Sequence, residues 1–259
     1  MHPSPNSPRV DAPPGALRAP RPGVTTRPGV APRPGAATRP GAATRAGAAT
    51  RAGAASRQAD SGPGLPRALL IGGTGFIGRH LIAALARNLP QLHLTVLSRR
   101  AWRHTALTTC PTVRLVEADV HNESALAVHV EHCDLIINLA GILHSDRGDP
   151  WGQAFDTVHV QLPAKLLKHA GDRPIVHISA LACRPESVPS APSMYLRSKS
   201  EAERLLLTRS GAGAVVLVRP SVVFGPDDNF LGLFARLSAM APLVPLASAS
   251  ARFAPVHVQ

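Results

Sequence analysis

From residue 67 onward the sequence predicts an α/β fold, a doubly wound parallel sheet with helices on both faces, behind a disordered N-terminal tail. Three observations predict it. Short apolar runs alternate with stretches of helical period; the first run ends in glycines and opens directly into a helix; and the composition changes at Pro66 from an Arg/Pro/Gly/Ala repeat to an ordinary globular mixture. Alternation of strands and helices favours parallel pairing, because parallel neighbours need a crossover and the helix supplies it.

The tail, residues 1–66, carries a six-residue repeat with units beginning at Arg21, Arg27, Arg33, Arg39, Arg45 and Arg51, each a variant of Arg-Pro/Ala-Gly-Ala-Ala-Thr. A period of six suits a left-handed β-helix only if a bulky apolar side chain faces inward at every turn, and here most such positions are Ala. Burying Ala cannot offset roughly 1–2 kcal/mol per residue of backbone entropy, so the segment is expected to be disordered. Its nine arginines, against Asp11 and Asp60, supply more than half of the formal charge of +12. Such a charge bears on solubility and loose association with anions. The segment has no aromatic residue on which bases could stack, so no specific nucleic-acid partner is expected. Its Pro and Gly spacing also prevents the amphipathic helix of an organellar presequence.

The domain, residues 67–259, reads as strands at 68–72, 92–97, 113–117, 134–139, 175–179 and 214–219, with helices at 76–88, 124–131, 151–170 and 194–210. Cys110, Cys133 and Cys183 are odd in number and form no CxxC pair, which predicts reduced thiols and a cytoplasmic setting. No apolar run reaches the ~18 residues of a membrane span. His129, His132 and Cys133 cluster without a second ligand pair, so no metal site is expected. A Ser-His-Asp hydrolase is disfavoured because no G-x-S-x-G elbow is present.

The chemistry begins at Gly72-Gly73-Thr74-Gly75-Phe76-Ile77-Gly78. Gly72 allows a tight turn out of the strand, Gly75 lets the backbone approach a pyrophosphate, and Gly78 lets the helix pack close to the sheet. The pyrophosphate then rests on the free N–H groups of the helix N-terminus. The strand before and the helix after give this loop the context of a Rossmann-type dinucleotide site. The second strand ends in Ser98, Arg99 and Arg100, where an acid would be expected if a ribose 2′-hydroxyl were bound. Guanidinium groups there would pair with a phosphate, so NADP(H) is predicted over NAD(H).

Five segments occur in register: residues 72–78, Ala118-Asp119-Val120, Asn138-Leu139-Ala140-Gly141, Tyr195-Leu196-Arg197-Ser198-Lys199, and the stretch from Arg219 to Pro226. The set resembles the extended and atypical short-chain dehydrogenase/reductase superfamily, of the NAD-dependent epimerase/dehydratase type. Its wording is most similar to the branch that includes the nucleotide-binding accessory subunit of respiratory complex I. The resemblance implies that Thr74, Phe76 and Ile77 join the glycines at the cofactor. It implies that Asp119 and Val120 border the adenine, that Asn138, Ala140 and Gly141 line the groove, and that Pro220 and Ser221 lie near the nicotinamide. It also matches Tyr195 and Lys199 to the superfamily's YxxxK pair. Residues i and i+4 share one helix face, and an ammonium beside a phenol lowers the tyrosine pKa from about 10. Tyr195 would then exchange a proton with a substrate oxygen while Lys199 holds ribose hydroxyls.

Two departures weaken the step from binding to catalysis. The superfamily's third catalytic group is a Ser or Thr after the fifth strand; Ser179 takes the first of the two usual places and Ala180 the second. Ser179 is therefore the candidate donor. The resemblance also implies a small substrate-binding region after the sixth strand, and the sequence to Gln259 predicts a truncated version of it, with the apolar stretch from Phe230 an association surface. The reading is an NADP(H)-dependent oxidoreductase or epimerase/dehydratase relative acting on a small-molecule substrate. The alternative is a non-catalytic dinucleotide-binding accessory or assembly subunit of a respiratory complex, peripheral to the inner membrane.

Overall fold

The computed structural model describes residues 65–228, 232, 238–240, 252 and 254–259. The repeat tail up to residue 64, and most of the apolar stretch from Phe230, therefore lie outside the described residues. Six strands form one parallel sheet in the order β3-β2-β1-β4-β5-β6: β1 (Arg67–Ile71), β2 (His93–Ser98), β3 (Val113–Glu117), β4 (Leu135–Asn138), β5 (Ile175–Ile178) and β6 (Val215–Val218). The order reverses between β1 and β4, and that reversal leaves a crevice beyond the carboxyl ends of these strands. Register brings Ile71 level with Leu97 on one side and with Asn138 on the other, and Asn138 level with His177. The residues that end these strands thus meet along one edge.

Strand alternation sends neighbouring side chains to opposite faces. Ala68 and Leu70 of β1 pack with Val96 of β2 and Ile82 of α1 (Phe76–Asn88). Leu69 and Ile71 face the other way, onto Leu126 and Val130 of α2 (Glu123–Glu131), Leu162 and Leu166 of α4 (Leu162–His169) and Leu206 of α5 (Met194–Leu207). Leu69, Leu70 and Ile71 are buried, and each such side chain removed from water contributes roughly 1.5–3 kcal/mol. Helices on both faces of a parallel sheet match the expected fold class.

Two differences from the expected elements matter for the site. The stretch 151–170 is not one α-helix: α3 (Gln153–Phe155) passes into a π-helical turn over Asp156–Gln161 before α4. The π turn keeps the chain helical while changing which residues face the sheet, so amphipathic periodicity does not reveal it. A second sheet of two parallel strands, β7 (Val223–Phe224) and β8 (Val256–His257), joins residues far apart in sequence. Short helices of 3-10 type cover Ala101–Thr109 and Pro185–Ser190, outside the expected strands and helices.

Candidate functional site

The turn after β1 is set by glycine geometry. Gly72 has φ +78°, and a Cβ there would stand 2.9 Å from the backbone N of Ala140. Gly75 N–H donates to Gly72 O at 3.1 Å, closing the turn. A Cβ on Gly78 would lie 2.5 Å from Gly73 Cα, so α1 sits directly against the loop only because that atom is missing. Gly75 caps α1 without a side-chain hydrogen bond, and the first turn holds no acid. The leading N–H groups of α1 are thus open to an anion.

A groove of about 560 Å³ runs from this turn across the sheet edge, within the size range of cofactor sites. Of the sequence candidates, Gly72, Thr74, Gly75, Ser98, Arg99, Arg100, Val120, Ala140 and Gly141 line it. Arg99 and Arg100 are exposed and enter no ion pair among the described residues. Asp119 is exposed and not among the lining residues; its Oδ1 accepts the His121 N–H at 3.0 Å. Phe76 packs edge-on against His80, and Ile77 lines a second hollow together with His80, Leu139 and Ile178. Gly78 acts beneath the loop, and Pro220 and Ser221 follow β6, where Pro220 O accepts the Leu181 N–H at 3.0 Å. Asn138 is fully buried: its Nδ2 donates to His177 Nδ1 at 3.1 Å, and its Oδ1 accepts the Ala140 N–H at 3.1 Å. Its side chain braces the turn that carries Ala140 and Gly141.

Sequence reasoning missed several wall residues, among them His104, His121, Ile142 and Val158. His121 Nδ1 is buried without a partner. Burial lowers the pKa of His121 most; Asp119 raises it, and Lys165 and Arg99 lower it further. The adjacent Asp119-Val120 motif was the available signal for His121; no spacing rule points to the others.

The second half of the site stands on α5. Ser193 Oγ accepts the Leu196 N–H at 3.2 Å and starts the helix, so Tyr195, Lys199 and Glu203 fall on one face. Lys199 is buried, and its Nζ donates to Ile178 O at 2.6 Å. Burial pulls its pKa down to about 8, although Cys183 and Glu203 act against this. Glu203 is fully buried and receives both Nε and Nη2 of Arg219, at 2.8 and 2.5 Å. The expected depression of the Tyr195 pKa by Lys199 does not hold in this structure: burial pushes the phenol up, and Cys183 adds to the rise. The reason is tertiary, since Phe155 and His159 both set their rings against Tyr195, at 6.0 and 5.5 Å between centroids. Ser179 is buried and its Oγ has no partner; His177 Nε2 is in the same state. His177 sits on β5, and burial followed by the charge of Lys199 lowers its pKa to about 3.

A glycine turn thus stands at the reversal of a parallel sheet, and a Tyr/Lys helix completes the site. The sequence pattern of the NAD dependent epimerase/dehydratase family matches residues 68–241. The chain belongs to that family. Among family relatives, it is 26% identical over 193 residues to "NADH dehydrogenase (ubiquinone) 1 alpha subcomplex subunit 9, mitochondrial" of Dictyostelium discoideum, covering 73% of this chain and 51% of that protein. It is 31% identical over 191 residues to a ceramide reductase of Caulobacter vibrioides, covering 73% and 56% respectively. The chain spans about half the length of these curated relatives. Its fold is shared with UDP-glucuronic acid 4-epimerase from Bacillus cereus, at a TM-score of 0.59 and 21% identity, over 74% of this chain and 69% of that one. Among the described residues, no helix is long and apolar enough to cross a membrane.

Proposed function

We propose that this family member binds NADP(H) in the groove and acts as an oxidoreductase, or an epimerase/dehydratase relative, on a carbonyl or hydroxyl substrate. The cofactor choice is carried by one observation: Ser98, Arg99, Arg100, His104 and His121 line the groove, and among the described residues no carboxylate lines it. A phosphate beside two unpaired guanidiniums gains charge-assisted hydrogen bonds that a hydroxyl does not. The missing Cβ atoms at Gly72 and Gly78 and the uncapped start of α1 fit a pyrophosphate.

When bound, the nicotinamide supplies or takes up hydride; the residues of the chain handle the proton. Tyr195 is the proposed acid/base. Lys199, fixed on Ile178 O, keeps two further N–H donors for the ribose hydroxyls. Ser179 is the proposed hydroxyl donor to the substrate oxygen, and its unpartnered Oγ supports this role. The ceramide reductase relative supports a reductase class of chemistry. Titration of NADPH and NADH by fluorescence tests the cofactor reading. NADPH is expected to bind at least about tenfold tighter, the equivalent of one charge-assisted contact, with the preference lost in Arg99→Ala/Arg100→Ala. Tighter NADH binding would overturn it.

A second reading is a dinucleotide-binding accessory or assembly subunit of a respiratory complex, held at the membrane periphery. Ala180 and the raised pKa of Tyr195 favour it, because both leave the proton-transfer step without an evident driver. The relative named as an NADH dehydrogenase subunit supports it as well. Tyr195→Phe separates the readings. Loss of NADPH-dependent turnover over a panel of ketones, with NADPH binding intact, supports the enzyme; no turnover in the wild type, with co-purification on membrane complexes, supports the subunit.

A further inference from the structure

His159 stands in the π-helical turn, is 1% exposed, and uses both ring nitrogens. The turn is held by Asp156, whose Oδ1 accepts Trp151 Nε1–H at 3.0 Å and whose Oδ2 accepts Gln161 Nε2–H at 2.6 Å. His159 Nε2 lies 3.1 Å from the backbone N of Ile142 and accepts its N–H. That bond assigns the ring proton to Nδ1, which donates to Ser198 Oγ at 2.8 Å. The Ser198 hydroxyl then donates to the Tyr195 carbonyl at 2.9 Å. The ring also stacks on Phe155 with centroids 5.1 Å apart and meets the Tyr195 ring edge-on. Burial and the charge of Lys199 hold the imidazole neutral, so the donor and acceptor roles do not exchange around neutral pH.

We infer that His159 is a positioning residue that couples the dinucleotide groove to Tyr195, which rests on the groove being the dinucleotide site. A buried imidazole with two bonds is ordinary core. What sets this one apart is what its bonds join. At one end is Ile142, a wall of the groove; at the other is Ser198, whose hydroxyl hands on to the Tyr195 carbonyl in the first turn of α5. Gly141 of the groove wall adjoins this link: a Cβ there would make ordinary contact with His159 Nε2 at 3.8 Å and Lys199 Nζ at 3.9 Å. A ligand that shifts the Ile142 amide must therefore carry the ring with it or break a buried hydrogen bond. Such a bond is expensive to leave unmade, and the ring packs directly on Tyr195. The coupling element is thus a contiguous physical chain rather than mere proximity.

Tyr195 is the sole tyrosine of the sequence, so the full chain grown with 3-fluorotyrosine gives one resonance that reports on it. The probe is ADP, which lacks the nicotinamide half and cannot touch Tyr195 through it. In the wild type, saturating ADP is expected to move the resonance. His159→Gln keeps an acceptor for Ile142 but no ring donor for Ser198. It should bind ADP within about threefold of wild type and lose the shift, since a retained hydrogen bond keeps the larger part of the contact energy. Ser198→Ala leaves the Ile142 bond and the ring's contact with Tyr195 in place and should reduce the shift without abolishing it. His159→Leu should lose the shift and also weaken ADP about tenfold, through the unpaired Ile142 N–H. If His159→Leu fails to fold, the other two variants decide. An unchanged shift in His159→Gln and Ser198→Ala at saturation, or an ADP-bound wild type whose resonance does not move, overturns the coupling alone. Failure of both ADP and NADPH to bind the wild type overturns the dinucleotide reading and the coupling with it.

Discussion

Lys199 and Ile178 are joined by a 2.6 Å hydrogen bond from a buried ammonium to the carbonyl that ends the fifth strand. The bond fixes the amine at the sheet edge but does not offset its loss of water, and its pKa falls to about 8. A base whose pKa is lower folded than unfolded is destabilising while charged. Between pH 8 and 10.5 the unfolded chain binds more protons, so this group's contribution to stability rises with pH across that window. Urea unfolding at pH 7.5 and pH 10 should show a relative gain of up to about 3 kcal/mol from this group, an upper bound from the pKa difference. In Lys199→Met that gain should be absent.

The two buried histidines act at the other end of the pH scale. His159 and His177 have pKa values near 3 against an ordinary 6.5, chiefly from burial. The unfolded chain takes up protons at 6.5 and the folded chain does not, so stability is expected to fall as pH drops from about 6.5 toward 3. The slope should approach two protons. Thermal melts from pH 7 to pH 4 check this, and replacing His177 with Gln should reduce the slope by about one proton.

Gly78→Ala tests the loop. The added Cβ meets backbone at 2.5 Å and cannot be absorbed by a side-chain rotation. The helix must withdraw from the turn, at roughly 1–3 kcal/mol. Dinucleotide binding should weaken more than that loss of stability alone accounts for, because the helix start and the turn separate. Calorimetric titration alongside a melt distinguishes the two effects. Gly75→Ala, whose nearest contact would be 3.3 Å from Gly72 O, should disturb the fold less.

The Arg219–Glu203 pair should be asymmetric. Glu203 is fully buried while the Arg219 side chain is 40% exposed. Removing the arginine strands a buried carboxylate, which costs about 3–5 kcal/mol in such sites. Replacing Glu203 with Gln returns a partly hydrated guanidinium to solvent and should cost less. Urea midpoints of Arg219→Met and Glu203→Gln give the comparison directly; equal losses would contradict the argument.

Much of the frame was legible because it is local. The turn beginning at Gly72 must be glycine wherever a strand folds into a phosphate-binding helix, and the strands end where their apolar runs end. The spacing of Tyr195 and Lys199 fixed their shared face. The direction of the Tyr195 pKa was not legible, since it depends on Phe155 and His159, which lie far off in sequence and reach it through the π turn. That turn shifts which residues face the sheet, but over only six residues, too few for a periodic pattern to announce it. His159 and His177 are single histidines with no motif beside them, and only their tertiary surroundings mark them as buried braces. The pairing of Val223 with Val256 involves two residues each side, too few for a strand signal.

The reversal between β1 and β4 has a kinetic consequence. Ala68 pairs with Leu135 and Ile71 with Asn138, each 67 positions further along the chain. Such a contact closes a long loop, whose entropic cost comes before the pairing rewards it, so it is expected to slow folding. The groove straddles this seam and exists only once it has zipped. A dinucleotide held there is expected to recognise finished molecules alone and, by mass action, to drain the population of partly assembled ones.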